Sequence, residues 1–582
     1  MATQTSSKVG LTPETEPQTE QGKHLSGGEI LIQALLDQGV EVVFGYPGGV
    51  VLGVYDVIHK SPDFNHILVR HEQAGTHAAD GYARATGKTG VVLATSGPGA
   101  TNTVTGIATA FMDSIPMVVF TGQVPSSMIG NDAFQEADII GITRPITKHS
   151  YLVKDANELG SVIKEAFHIA ESGRPGPVLI DLPKDMLFSK GYYTPSAPMR
   201  KKVSQRMNTD ASEAVKSAVK LLQSAKKPLL YVGGGVVAGN AWQELRELAL
   251  KSNVPVTTTL MGLGAFPESH PNALGMLGMH GTWAANMAMQ ECDVLVAIGA
   301  RFDDRVTGRV PDFSPRSRKI HIDIDPACIN KNVHVEVPII GDVKNILPQL
   351  TASVSEVDTK DWMKQINEWR QAHPLRYRSR QDEIAPQYMI QKLSEVTHGD
   401  AIVVTDVGQH QMWAAQYYSY NHTRSWVTSG GLGTMGFGFP AAMGAAIGCP
   451  DRTVVCITGD GGFQMTAMEL ATAVDHKVPV KVAIMNNGYL GMVRQWQELF
   501  YGRRYSHSHL EPSNPDFVKL AEAYGAVGLR ARTPEELDAV LKQAMEITDR
   551  PVIMDIHVTQ EENVYPMVPP GAALHEMVDT PE

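Results

Sequence analysis

Asp460 stands among glycines in Gly459-Asp460-Gly461-Gly462, directly after the apolar run RTVVCI, and Asn487 follows the next such run 27 residues later. A carboxylate, a side-chain amide oxygen and a nearby backbone carbonyl form a hard oxygen set suited to Mg2+ and phosphate oxygens. Gly461 and Gly462 would open a helix and present N–H groups to an anion. Taken alone, the glycine-flanked aspartate is equally an ordinary turn after a buried strand. The spacing to Asn487 favours the chemical reading, because a strand–helix–strand crossover of that length brings both residues to one sheet edge. A second carboxylate, Glu72 in LVRHEQAG, also follows a strand-like run at a helix start. As a lone residue it reads as a solvated carboxylate favoured there by the helix dipole. His66, His71 and His77 lack the spacing of a zinc site and read as structural or site-adjacent.

The elements that must position these residues belong to a long chain. Its 582 residues exceed a single core and predict three or four domains. A formal net charge of -12 argues against broad nucleic-acid binding, which needs a basic footprint. The four cysteines, Cys292, Cys328, Cys449 and Cys456, are scattered and read as core residues of a reducing compartment. No stretch is long and apolar enough to span a membrane. Residues 1–23 are polar and acidic, with no signal-peptide core and no arginine, and predict a disordered tail. The expectation is a soluble cytoplasmic protein.

Strand-like runs such as TGVVLATS, PLLYVGGG, DVLVAIGA, AIVVTDVG and VKVAIMNN alternate with helix-period segments such as SEAVKSAVKLLQSA. Continuous apolar runs fit parallel strands covered on both faces. The fold class is α/β, with three doubly wound domains built on mainly parallel sheets. They are expected at 24–190, 207–355 and 386–560, with linkers at 191–206 and 356–385. The tail 561–582 is expected to order only over a site or a partner. Ligands of such sheets collect at the carboxyl ends of strands, where the glycine-rich motifs fall.

The pair GDG and MNN resembles the diphosphate-binding motif of thiamine-diphosphate (ThDP) enzymes. The resemblance narrows over nearly the whole chain. GYPGG, RHEQAG, ATSGPGATN, TGQVP, DAFQE, LMGLGAFP, GARFDDRVTG, GLGTMGFG, GDGGF and LGMVRQW occur in the order of the acetohydroxyacid synthase (acetolactate synthase) catalytic-subunit family. It implies a pyrimidine-binding domain, a central FAD-associated domain and a diphosphate domain. It also implies a transferase that decarboxylates pyruvate and passes the two-carbon unit to pyruvate or 2-ketobutyrate, the first common step toward valine, leucine and isoleucine. Rival readings are another ThDP/FAD enzyme such as pyruvate oxidase, or a catalytically silent cofactor-binding regulator. The silent reading would require loss of Glu72, Asp460 or Asn487, and all three are present.

Carried over by resemblance, the Mg2+ ligands are Asp460, Asn487 and the carbonyl of Tyr489. ThDP would be held by Glu72, Val407, Gly408, Gln409, His410, Gly433, Met435, Gly459, Gly461 and Gly462 as well. Glu72 would bind the pyrimidine N1′ and favour the tautomer that activates the cofactor. Met435 would bend the cofactor. Gly49, Gln135 and Lys184 would line the reaction centre. Arg305 would hold the second substrate's carboxylate through its guanidinium fork, and Met492, Val493 and Trp496 would form the acceptor pocket. FAD, which does no net redox work in the family's main reaction, would contact Arg174, Gly233, Gly234, Gly235, Leu260, Met261, Met279, His280, Gly299, Arg301, Asp303, Arg305, Asp323, Ile324 and Asp342. The family implies a homodimer or dimer of dimers with the active site between chains, and a small regulatory subunit that binds branched-chain amino acids. Val50 stands where many relatives carry alanine, which predicts weaker binding of inhibitors that pack there. Gly488 stands where glutamine is more frequent, and is expected to be silent.

Overall fold

Runs that are apolar at consecutive positions form strands buried along their whole length, as at Gly90–Ala94, Pro228–Val232, Val294–Ile298 and Ile402–Thr405. The computed structural model describes residues 22–195, 197–199 and 211–579. It contains three six-stranded sheets, one in each third of the chain. Every pairing within them is parallel. Helices cover both faces, as parallel sheets require.

In the N-terminal sheet the order is His66–Leu68, Val43–Gly45, Gly90–Ala94, Met117–Gln123, Pro177–Pro183, His149–Leu152. The middle sheet runs Ala273–Met276, Val256–Thr258, Pro228–Val232, Val294–Ile298, Arg318–Asp323, Val337–Ile340. The C-terminal sheet runs Trp426–Val427, Ile402–Thr405, Val454–Gly459, Lys481–Asn486, Val552–His557, Val527–Ala531. The strands carrying Asp460 and Asn487 at their ends are adjacent, paired Val455 to Lys481 through Gly459 to Met485.

Three boundaries differ from the sequence expectation. Lys23–Ser26 is a strand paired antiparallel with Lys190–Tyr193, so the expected tail and linker each donate residues to a small ribbon. The remainder of the expected tail, residues 1–21, and of the linker, residues 196 and 200–206, lies outside the described residues. The charged segment 356–385 contains the helix Lys360–Ala372. Trp362 and Ile366 of that helix are buried in the middle-domain core, and the Trp362 indole donates to the Pro228 carbonyl. Two buried side chains at a spacing of four make this segment part of the middle domain's packing rather than a free crossover.

The N- and C-terminal domains meet through the helices Glu72–Thr86 and Gly438–Gly448. Both are dominated by glycine and alanine and are buried almost throughout. A Cβ on Gly81 would lie 2.0 Å from the Ala441 carbonyl oxygen, and one on Gly444 would lie 1.8 Å from that of Ala78. Only glycine permits this backbone approach. The helix that begins with Glu72 is thereby fixed against the domain that carries Asp460.

Cys292, Cys328 and Cys456 are buried, Cys449 is half-buried, and all four are free thiols. Among the described residues no helix is long and apolar enough to cross a membrane.

Candidate active site

The carboxyl edge of the C-terminal sheet forms a cavity walled by the segments that follow its strands. Val407, Gly408, Gln409, His410, Met435, Gly459, Asp460, Gly461, Gly462, Asn487, Tyr489, Met492 and Val493 all line it. These belong to four separated stretches of sequence, and the fold brings them together. Trp413, Met485, Leu490, Gly491 and Val558 complete the wall. Gly433 lies just behind, against Val407.

Asp460 is 1% exposed and opens the short helix Asp460–Gln464. One carboxylate oxygen, Oδ2, accepts from Asn514 Nδ2 at 2.7 Å, and Oδ1 has no hydrogen-bond partner among the described residues. Burial pushes this carboxyl up to about 6, against the pull of Asn514 and the neighbouring Gly461 backbone. Asn487 is buried, and its Oδ1 accepts from the Tyr489 N–H at 3.1 Å. Gln409 Oε1 and His410 Nε2, in the same wall, are buried without partners. Burial also drives the His410 imidazole down to about 4, so it is neutral near pH 7. The Trp413 indole N–H in the same wall is also unpartnered; buried polar atoms left unpaired cost about 1–3 kcal/mol each, so four around one cavity indicate a polar occupant. Asp460, the Asn487 amide and the Tyr489 carbonyl suit a hard cation, and the unpaired Asp460 oxygen is available to it. Among the described residues no three His, Cys, Asp or Glu side chains gather as a metal cluster, so this set depends on amide and backbone oxygens.

The remaining candidates form two further groups. Glu72 begins its helix in the N-terminal domain, is 9% exposed, and accepts from Asn102 Nδ2 at 2.9 Å. Gln135 has φ +61 and packs on Gly97, in the turn that also leads to Asn102. Gly49 is exposed, and Lys184 opens the short helix after Pro177–Pro183. Val50 packs a methyl group onto Gly122. None of this group lines the cavity of Asp460. Trp496 lies one turn beyond Met492 on the helix Gly491–Phe500, half-buried against Phe500, and is likewise outside the cavity wall. His77, buried on the Glu72 helix, meets the Phe437 ring edge-on across the domain contact, a structural use.

The middle-domain group occupies the carboxyl edge of its own sheet. Gly233, Gly234 and Gly235 follow Pro228–Val232, and Gly233 and Gly235 lie against Gly299 at the end of Val294–Ile298. Leu260 and Met261 form the turn after Val256–Thr258, and Met261 touches Gly234 and Gly430. Arg301 pairs with Asp303 and donates to the Met112 carbonyl; Arg174 of the N-terminal domain donates to Ser114 in its own domain and reaches Asp325 of the middle domain. Asp323 ends Arg318–Asp323 with Ile324 beside it, and Asp342 caps the helix Val343–Ser353. Two guanidinium groups and the strand-end acid Asp323 on one domain edge are residue types that a dinucleotide would need, cations for its pyrophosphate and an acid for its ribose. Arg305 is 66% exposed and pairs with Asp304. Its carbonyl accepts from the Met279 N–H, next to His280.

The C-terminal segment joins two of these groups. The Glu562 carbonyl accepts from Gln409 and Arg494 at the cavity wall. Farther on, Val568 N–H donates to the Met279 carbonyl, and the Ala572 carbonyl accepts from Arg309 N–H on the middle domain. The expected tail is thus ordered through residue 579.

Sequence reasoning missed several residues. Asp406, at the end of Ile402–Thr405, accepts from the N–H groups of Val407, Gly436 and Gly438, which shapes the turn bearing Met435. Its strand-end position was a usable signal. Asn102 and Asn514 are contacts made by tertiary packing, and no local pattern marks them. Gly488 is a correction. It has φ +71, and an added Cβ would lie 3.0 Å from Glu511 Cβ, so its identity bears on backbone strain rather than being silent.

Comparison with known proteins agrees with this organisation. Residues 25–142 match the thiamine pyrophosphate enzyme N-terminal TPP-binding domain, 215–350 the central domain and 406–556 the C-terminal TPP-binding domain. The chain is 50% identical over 564 residues to the acetolactate synthase isozyme 3 large subunit of Escherichia coli, covering 95% of this chain and 98% of that one. It is 53% identical to an acetolactate synthase of Mycobacterium bovis, over 95% of this chain and 91% of the relative. A large subunit from Parasynechococcus marenigrum is 50% identical, over 100% of this chain and 94% of its own. Identity at that level over the full length of all three domains means that the chain belongs to the acetolactate synthase large-subunit family, the thiamine-diphosphate-dependent acetohydroxyacid synthases of branched-chain amino-acid biosynthesis.

Proposed function

We propose that this chain condenses pyruvate with a second 2-keto acid, forming 2-acetolactate when the acceptor is pyruvate and 2-aceto-2-hydroxybutyrate when it is 2-ketobutyrate. The observation that supports the site assignment most directly is the cavity with four buried, unpartnered polar atoms, on Asp460, Gln409, His410 and Trp413. Asp460, Asn487 and the Tyr489 carbonyl would hold Mg2+, and the N–H groups of Gly461 and Gly462 would be available to the diphosphate. ThDP, when bound, supplies the nucleophilic carbon and the electron sink that decarboxylation of a 2-keto acid needs. Glu72 holds a proton at the pyrimidine N1′, with Asn102 fixing the orientation of its carboxylate. Gln135 and the Gly49 backbone stabilise charge on the substrate oxygen. Lys184 and Arg305 would place cations for the keto-acid carboxylates, Met492, Val493 and Trp496 would shape the acceptor pocket, and the middle-domain residues would hold FAD.

Within one chain Glu72 lies outside the Asp460 cavity, so the working site takes Glu72 from a second copy in a homodimer or dimer of dimers. Large apolar side chains exposed near both groups, Phe134 at 88% and Met465 at 49%, suit burial in that contact. A small regulatory subunit that binds branched-chain amino acids is a further proposed partner.

The test is a product assay on the purified chain with ThDP, Mg2+ and FAD, given pyruvate with and without 2-ketobutyrate. Both acetohydroxy acids are expected, and failure to form 2-acetolactate would overturn the proposal. Trp496→Leu should cut the preference for 2-ketobutyrate about tenfold, within the range that one methylene is worth in a fitted pocket.

A further inference from the structure

Glu469 belongs to the C-terminal domain yet binds the backbone that leads into Glu72. It is 0% exposed and ends the 3-10 turn Ala467–Glu469. Its Oε1 accepts from Arg70 N–H at 2.9 Å and from His71 N–H at 3.0 Å. Oε2 accepts from the Thr472 hydroxyl at 2.7 Å and from Arg70 N–H at 3.2 Å. The Thr472 hydroxyl also lies 3.1 Å from the Leu68 carbonyl, and Arg70 reaches Asp475 at 3.8 Å. One short piece of the C-terminal domain therefore grips the strand end from residue 68 to residue 71 on its last turn before the helix.

Two consecutive N–H groups pointing at one carboxylate fix the peptide planes on both sides of residue 70. His71 is the extended N-cap of the Glu72 helix, with φ -153 and ψ 140, so these planes set the direction in which the chain enters Glu72. Holding a buried carboxylate here is expensive. Burial pushes it up to about 7, and a neutral hydrogen-bonding residue would avoid that cost. An amide would keep only part of this grip: its oxygen could take the two N–H bonds now made to Oε1, but its NH2 would oppose the Arg70 N–H that now also reaches Oε2 and would turn the Thr472 hydroxyl from donor to acceptor. The neighbouring helix contact through Gly81 and Gly444 already holds the domains together, so a charged clamp at residues 70–71 adds orientation where adhesion is supplied elsewhere.

We propose that Glu469 is a positioning residue for Glu72: through the N–H groups of Arg70 and His71 it sets the approach of the Glu72 carboxylate to the cofactor pyrimidine. The inference rests on the reading of Glu72 as the cofactor-activating carboxylate.

The test is Glu469→Gln, with two readouts besides turnover. In the cofactor-free protein, amide hydrogen exchange in a peptide covering residues 66–76 should accelerate at Arg70 and His71. In the enzyme loaded with ThDP, Mg2+ and FAD, deuterium exchange at the thiazolium C2–H should slow about 10- to 100-fold, the scale expected for a catalytic group displaced by about 1 Å. The ThDP dissociation constant should stay within about twofold, because the residues lining the Asp460 cavity are untouched. Normal C2 exchange in Glu469→Gln, with slow exchange in Glu72→Gln, overturns the positioning role alone. Normal exchange in Glu72→Gln overturns the reading beneath it. If Glu469→Gln does not fold, Thr472→Val removes one donor while keeping the carboxylate, and should slow exchange a few-fold; unchanged exchange there overturns the proposal.

Discussion

Replacing Gly444 by alanine puts a methyl group where the Ala78 carbonyl oxygen already lies. The added Cβ would be 1.8 Å from that oxygen and 2.6 Å from its carbon. Ordinary contact begins at 3.4 Å, so the helices Glu72–Thr86 and Gly438–Gly448 must part by about 1.6 Å at this turn. Two effects oppose each other. Alanine is favoured over glycine inside a helix by about 1 kcal/mol. Overpacking costs about 1–3 kcal/mol where side chains can yield, and here the obstacle is backbone, which puts the cost at the upper end. The net expectation is a loss of about 2 kcal/mol or more.

The same displacement reaches the chemistry, because the helix that moves begins with Glu72. A shift of about 1 Å at a catalytic group can cost about 100-fold in rate. Gly81→Ala, which would collide with Ala441 on an adjacent turn, is relieved by the same separation. The double substitution should therefore cost less than the sum of the singles. Urea unfolding followed by a probe in each domain measures the stability change without assuming one transition for three domains. A Gly444→Ala protein within about 0.5 kcal/mol of the parent, with unchanged turnover, would refute the close helix contact and its link to Glu72.

The site makes further predictions. With the Asp460 carboxyl raised to about 6, a proton competes for the oxygen that holds the cation, so apparent Mg2+ affinity should fall about tenfold per pH unit below 6 and level off above it. Mg2+ titrations of ThDP binding between pH 5 and 8 check this, and a flat profile refutes it. In the cofactor-free protein the sign is opposite to that of a paired carboxylate: the native state binds the proton more tightly, so this group adds stability as pH falls from about 6 toward 4. Asn514→Ala removes the donor to Asp460 Oδ2 and should weaken Mg2+ binding about 10-fold, read by the same titration. Gly488→Gln places a side chain at φ +71 and should cost about 1–2 kcal/mol in urea unfolding.

Much of this architecture is legible in the sequence because parallel strands buried on both faces carry an uninterrupted apolar signal. The Asp460–Asn487 pair is legible for the same reason: each residue ends such a strand, and the crossover length fixes them as neighbours. The segment 356–385, expected as a charged, helix-like linker, also packs Trp362 and Ile366 into the middle domain, which two apolar residues in a polar helix signal only weakly.

What sequence could not supply are the contacts that cross domains. Asp113 accepts from the N–H groups of Gly430 and Gly431, just before Gly433 and Met435, and is itself paired with the buried Arg84. Glu469 does the reverse, from the C-terminal domain to the residues just before Glu72. Each domain thus donates one carboxylate to the backbone leading into the other domain's cofactor residue. Backbone N–H groups have no side-chain identity, so an acid that binds them leaves no complementary residue for a sequence reader to find. The partners lie 317 and 399 residues apart, and the close helix contact through Gly81 and Gly444 helps bring them within reach. The glycines and the two acids are therefore parts of one arrangement. The close approach that glycine permits is what lets short acidic side chains span the interface, and loosening it should release both clamps together.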